Sequence, residues 1–236
     1  MNKRVLQGFT LTEIMISLTV IGIIAAITVP GTISKYQRDT QLTALKKVYA
    51  DMGQALTMLQ GEYVKRNLRV HDTYLYQGTF DMYDSTLLKT PEATAGRFLK
   101  ENFKYTKDCG TSTSNCFAST YRSIEGNNTQ DLNIGNSYSL MLSNGASIAM
   151  VPAYSSKVYM VPVPGEPAPP SVSKYPTAVY VDVNGPDKPN IGGRDMFTFA
   201  IDDEFNIVPT EGDCTKSSIG DGCLNEIIEH NWKMNY

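Results

Sequence analysis

The chain has 236 residues, with 21 Lys and Arg against 24 Asp and Glu, and 42% of its residues are hydrophobic. That apolar fraction excludes a disordered chain, and the net charge of −3 provides no general basic field for holding nucleic acid. The length suits one globular domain with an elongated segment rather than two full domains.

The chain opens short and basic, with Lys3 and Arg4, and then runs apolar from Phe9 to Val29 before Pro30. Those 21 residues suffice to cross a bilayer as a helix, which needs roughly 20. The basic residues before the run place the N-terminus in the cytoplasm. An ordinary secretory signal fits poorly, because its apolar core is about 7–15 residues and ends in a small-residue cleavage site; Ala25–Pro30 offers none. A plain anchor leaves Glu13 unexplained. A carboxylate within a membrane segment is unfavourable and marks function.

The stretch Gly8-Phe9-Thr10-Leu11-Thr12-Glu13-Ile14-Met15-Ile16-Ser17-Leu18 resembles the class III signal of type IV prepilins and of type II secretion pseudopilins. The resemblance implies cleavage after Gly8 by a prepilin peptidase on the cytoplasmic side, N-methylation of the new terminus Phe9, and an assembly role for Glu13. It also implies a helix break at Pro30, where many pilins carry a proline. Pro30 lacks a backbone donor and Gly31 adds freedom, so a kink or an unwound stretch is expected near Ile27–Thr32.

After Gly31 the pattern becomes periodic. Leu45, Val48, Tyr49, Met52, Leu56, Leu59 and Tyr63 recur at helical spacing, opposite Lys46, Lys47, Asp51, Gln54 and Glu62, so an amphipathic helix is expected to about Asn67. The expected organisation is therefore a leader over 1–8, an assembly helix over 9–29, an amphipathic helix over 30–67 and a globular head over 68–236. Lys46–Lys47 and Lys65–Arg66–Arg69 are the basic clusters, and both read as solvated faces.

In the head, Thr94–Asn102 reads as a short helix with Phe98 and Leu99 inward, and Tyr74, Tyr76, Phe80 and Tyr83 as a loop packed on a sheet. Tyr138–Leu142 and Ser147–Val151 flank Asn144-Gly145, a strong hairpin signal. Val158–Val161 extends that pattern, and 162–176 is a proline-rich loop. Ala178–Val183 is the strongest strand, and Met196–Ile201 with Phe205–Val208 makes a second hairpin. The fold class is α+β, an antiparallel sheet against one long helix; the resemblance implies the same. The tail reads as a disulfide-closed loop, then a short helix over Leu224–Trp232, with Trp232 packed on the head.

Cys109, Cys116, Cys214 and Cys223 lack zinc or thioredoxin spacing. With export they read as two disulfides. Three pairings exist, and the local one is favoured because short loops close most easily. Asp182, Asn184 and Asp187 offer hard oxygens suited to calcium, with Asp195 and Asp202 as further candidates, but the spacing departs from an EF-hand and an Asx turn accounts for the same residues. No other cofactor is indicated.

No Gly-x-Ser-x-Gly elbow, phosphate-cradling loop or His-Glu-x-x-His pair occurs. With two histidines, His71 and His230, little material serves acid–base chemistry at neutral pH. The expected function is a structural subunit of a type IV pilus or related filament. A type II secretion pseudopilin is the first alternative, and a membrane-tethered enzyme or receptor the second. The implied partners are other pilin subunits, the prepilin peptidase, an inner-membrane assembly platform and, before assembly, lipid; nucleic acid is not expected. The precursor belongs in the inner membrane with a single span, and the assembled form in a surface pilus or a periplasmic pseudopilus.

Overall fold

A computed structural model describes residues 9–65, 83–84, 87–88, 92–152, 177–202, 205–210, 212–216 and 219–236. The expectations for the leader, for the end of the amphipathic helix beyond Lys65, for Tyr74, Tyr76 and Phe80, and for 158–176 lie outside these residues. The chain divides into two compact units, Met1–Thr40 and Gln41–Tyr236.

Helix α1 is Leu11–Lys65. It runs without interruption through Pro30 and Gly31, so of the two expected outcomes, a kink or an unwound stretch, the unwound one does not occur. Proline removes the donor that the Ala26 carbonyl would otherwise receive and crowds that carbonyl with its ring, while the bonds on either side remain. A single lost bond does not break a long helix whose neighbouring turns are intact.

In the second unit, Leu45, Val48, Met52, Ala55 and Leu56 form the buried stripe of α1, at the spacing read from the sequence. Lys47 and Asp51 pair across one turn of the outer face at 3.5 Å. Removing Leu45, Val48, Met52 and Leu56 from water contributes roughly 6–12 kcal/mol gross, at about 1.5–3 kcal/mol each. That is an upper figure, because the unfolded chain already buries part of this surface.

The described strands are β1 (Tyr83–Asp84), β2 (Leu87–Leu88), β3 (Tyr105–Gly110), β4 (Thr120–Arg122), β5 (Thr129–Asp131), β6 (Tyr138–Leu142), β7 (Ser147–Val151), β8 (Thr177–Asp182), β9 (Met196–Ile201) and β10 (Ile207–Pro209). β1 with β2, and β4 with β5, form two-stranded ribbons. The main sheet has the order β10-β9-β8-β7-β6-β3, with every pairing antiparallel. The Asn144-Gly145 hairpin joins β6 to β7. Gly145 sits at φ 88°, and the Leu142 amide donates to the Ala146 carbonyl at 2.7 Å. At the edge, β3 pairs with β6 through two register irregularities, between Tyr105 and Lys107 and between Asp108 and Gly110.

Both faces of this sheet are covered. Leu140, Ile148, Met150, Val179, Val181, Phe197, Phe199 and Ile201 share one core with the α1 stripe. Alternate residues Ala149 and Met196 share a second core with Cys116, Phe117, Tyr121 and Ile134. The segment between β3 and β6 thus backs part of the sheet, including Met196 at the start of β9, while Thr198 on the same face meets Thr210 and Asp221 from the C-terminal part of the chain. With the other face in the first core, β9 is buried at all six positions. A strand buried on both faces loses the in/out alternation of a half-exposed one.

The expected short helix is present as a π-helical turn, Glu92–Gly96, followed by α2 (Arg97–Asn102), with Phe98 and Leu99 buried. The closing helix α3 is Cys223–Glu229. Trp232 packs edge-on to Tyr49 of α1 at 5.3 Å between centroids, with the Lys46 ammonium 5.5 Å above its ring. Both disulfides are local, Cys109–Cys116 and Cys214–Cys223.

Candidate functional site

The site of interest is the start of α1. The Thr10 amide donates to Glu13 Oε2 at 2.9 Å, and the Thr10 hydroxyl donates to the same oxygen at 2.8 Å. The Glu13 amide in turn donates to Thr10 Oγ1 at 3.3 Å. This reciprocal arrangement is a capping box, which satisfies donors that a helix N-terminus leaves open. Phe9 lies just outside the helix and is 84% exposed. Among the described residues, the bonds that Glu13 accepts converge on Oε2.

From there the helix is apolar on all sides. Leu11, Ile14, Met15, Ile16, Leu18, Val20, Ile21, Ile23, Ile24, Ile27 and Val29 are all exposed. This part of α1 is long and apolar enough to cross a membrane, and none of its apolar window is buried within the chain. A helix that is apolar all round must find its cover in lipid or in other protein. Four of its hydroxyls are bonded to the helix itself: Thr19 donates to the Met15 carbonyl, Thr28 to Ile24, Thr32 to Thr28 and Ser34 to Pro30, at 2.8–3.0 Å. Such bonds remove the penalty of placing a free hydroxyl in an apolar medium.

The structure does not gather the calcium candidates into a ligand set. Asp182 is fully buried; its Oδ2 accepts from the Tyr121 hydroxyl, and its Oδ1 from the Asn184 amide at 3.1 Å. The Asn184 side-chain NH2 donates to the Asp187 and Lys188 carbonyls, and Asp187 itself is exposed. This is the Asx-turn arrangement. Among the described residues, no group of three or more His, Cys, Asp or Glu is placed to hold a metal ion.

Sequence reasoning missed the buried acid pair that frames this turn. Asp195, also fully buried, accepts from the Asn190 and Ile191 amides at 2.7 and 2.6 Å, and its carbonyl accepts from the Val183 amide at 2.8 Å. Burial pushes Asp182 up to about 8, and Asp195 up to about 6, from 3.8. The Asp-Val-Asn-Gly turn was visible as a motif. What could not be read was that Tyr121, 61 residues earlier, closes over it.

No curated protein and no solved structure matches the chain. Residues 4–29 match the family described as the prokaryotic N-terminal methylation motif, so the chain carries the prepilin-type signal of type IV pilins and pseudopilins at the head of a helix whose apolar first stretch is exposed.

Proposed function

We propose that this chain is the precursor of a structural subunit of a type IV pilus. The prepilin peptidase cuts after Gly8, Phe9 is N-methylated, and the subunit polymerises through α1. The observation that carries the reading is the combination at the start of α1: one carboxylate, held by its own Thr10, heading a helical stretch whose large apolar side chains, from Leu11 to Val29, are exposed. In a bundle of such helices, Oε1 of Glu13 meets the N-terminal amine of a neighbouring Phe9, which stays cationic after methylation. The attraction is strong at low dielectric, and desolvation offsets much of it. Its main effect is to fix the register at which each subunit stops against the next.

The two disulfides suit a head on the oxidising, non-cytoplasmic side of the membrane, a setting that a surface pilus and a periplasmic pseudopilus share. The experiment is co-expression with a prepilin peptidase and the assembly platform. The chain should lose Met1–Gly8, gain one methyl group on Phe9, and appear in sheared surface filaments. An uncut chain refutes the precursor reading. A cut, methylated subunit that stays in periplasmic fibres and supports protein export reassigns it to type II secretion.

A further inference from the structure

The charges along the first unit specify how deep α1 sits in a bilayer. Between Glu13 and Lys35 lie 21 residues, Ile14 to Ser34, without a charged side chain. The two bounding residues are 22 positions apart, about 33 Å at ~1.5 Å per residue, against a hydrocarbon layer of about 30 Å. Hydropathy alone would fit that layer to Phe9–Val29, drawing Glu13 into lipid and leaving Ile33 outside. The charges favour a placement about five residues further along the helix, with Glu13 at the cytoplasmic boundary and Lys35 at the outer one.

Three side chains gather at that outer boundary. Tyr36 is 72% exposed, Lys35 is exposed and Arg38 is partly covered. Lys35 and Arg38 are three apart and share a face, while Tyr36 lies about a quarter-turn round from Lys35. Asp39 follows, so the group carries one net positive charge. Side chains on a helix lean toward its N-terminus, so these three reach back toward lipid. An amphipathic ring and long basic stems are the groups that settle at headgroup level, with the cation on phosphate. The turn before them is fit for an apolar medium, because the Thr32 and Ser34 hydroxyls are bonded to their own helix.

We propose that Lys35, Tyr36 and Arg38 form a phospholipid-headgroup anchor on the outer face of the membrane. It holds the waiting precursor at a depth where Glu13 and the Gly8–Phe9 bond stay at the cytoplasmic boundary. This rests on the precursor reading above, in which α1 spans the bilayer.

The test uses the full chain in the inner membrane of spheroplasts, with single cysteines at Ile21, Ile33 or Gln37 and a membrane-impermeant maleimide added outside. The four native cysteines are paired and do not react. Ile21→Cys should stay unlabelled, Ile33→Cys should label slowly and Gln37→Cys fast. With Lys35→Gln, Tyr36→Ser and Arg38→Gln combined, Ile33→Cys should label about fivefold faster or more, the weight of roughly one surface-bound cation in the register equilibrium. If Ile33→Cys labels as fast as Gln37→Cys in the parent chain, or is unmoved by the triple substitution, the anchor is overturned and the span survives. A fast Ile21→Cys overturns the span, and the anchor with it.

Discussion

Two roles of Glu13 can be separated by one pair of substitutions. Its carboxylate closes the capping box with Thr10, and in the proposed filament it also neutralises a neighbour's terminal amine. Glutamine keeps the first role, since a capping box accepts Glu or Gln, and loses the second. Alanine loses both. Loss of the box costs about 0.3–1.5 kcal/mol, a small sum for a helix that a bilayer would itself hold. Loss of one partner from a buried pair costs about 3–5 kcal/mol, or roughly two to three and a half powers of ten in the subunit association constant. Glu13→Gln should therefore insert in the membrane like the parent, keep its helix, and form almost as few filaments as Glu13→Ala. The assay is an immunoblot of sheared filaments against membrane-retained subunit. Parent-level filaments from Glu13→Gln would show that the cap, and not the charge, matters for assembly.

Met52 is fully buried between α1 and the sheet, so Met52→Ala should destabilise the head by about 2–5 kcal/mol, read as a lower urea midpoint with an unchanged slope. Asp182 and Asp195 are held at about 8 and about 6, against 3.8 when unshifted. The folded state therefore binds their protons more tightly than the unfolded chain does. Their contribution to stability is complete below about pH 4 and is lost as pH rises through 6 and then 8. Urea midpoints taken across that range should fall in the parent and fall less in Asp182→Asn; equal slopes would refute the assignment. Paired Cys214→Ser and Cys223→Ser substitutions open a loop with a sequence separation of 9 and should lower stability by roughly 2–3 kcal/mol, measured against the oxidised parent by thermal melting.

The parts of the fold that announce themselves by local chemistry were legible. The α1 stripe has helical period, Asn144-Gly145 supplies the positive φ its turn requires, and each cysteine pairs with its sequence neighbour. Trp232 was expected to pack on the head and does, against Tyr49. What was missed depends on contacts distant in sequence. β3 reads Tyr-Thr-Lys-Asp-Cys-Gly and is exposed over its first four residues, as an edge strand can be, so no apolar alternation marks it. β4 and β5 are three residues each, too short to show a period. Asp182 was singled out for its oxygens, but its partner Tyr121 comes from β4, and nothing near either residue reveals the other. At Pro30 the unwound alternative does not occur, because one missing donor leaves the neighbouring turns of a 55-residue helix intact.

The irregular pairing of β3 with β6 has a consequence for life in a crowd. A sheet whose two faces are both covered can adhere to a stranger only along its rims. An even, unoccupied rim is where foreign chains add on and aggregates start. The two displaced registers break the even ladder at the β3 rim, so in the proposed filament that side of the head is a poor template for a neighbour's strand, and order along the fibre would fall to the helices.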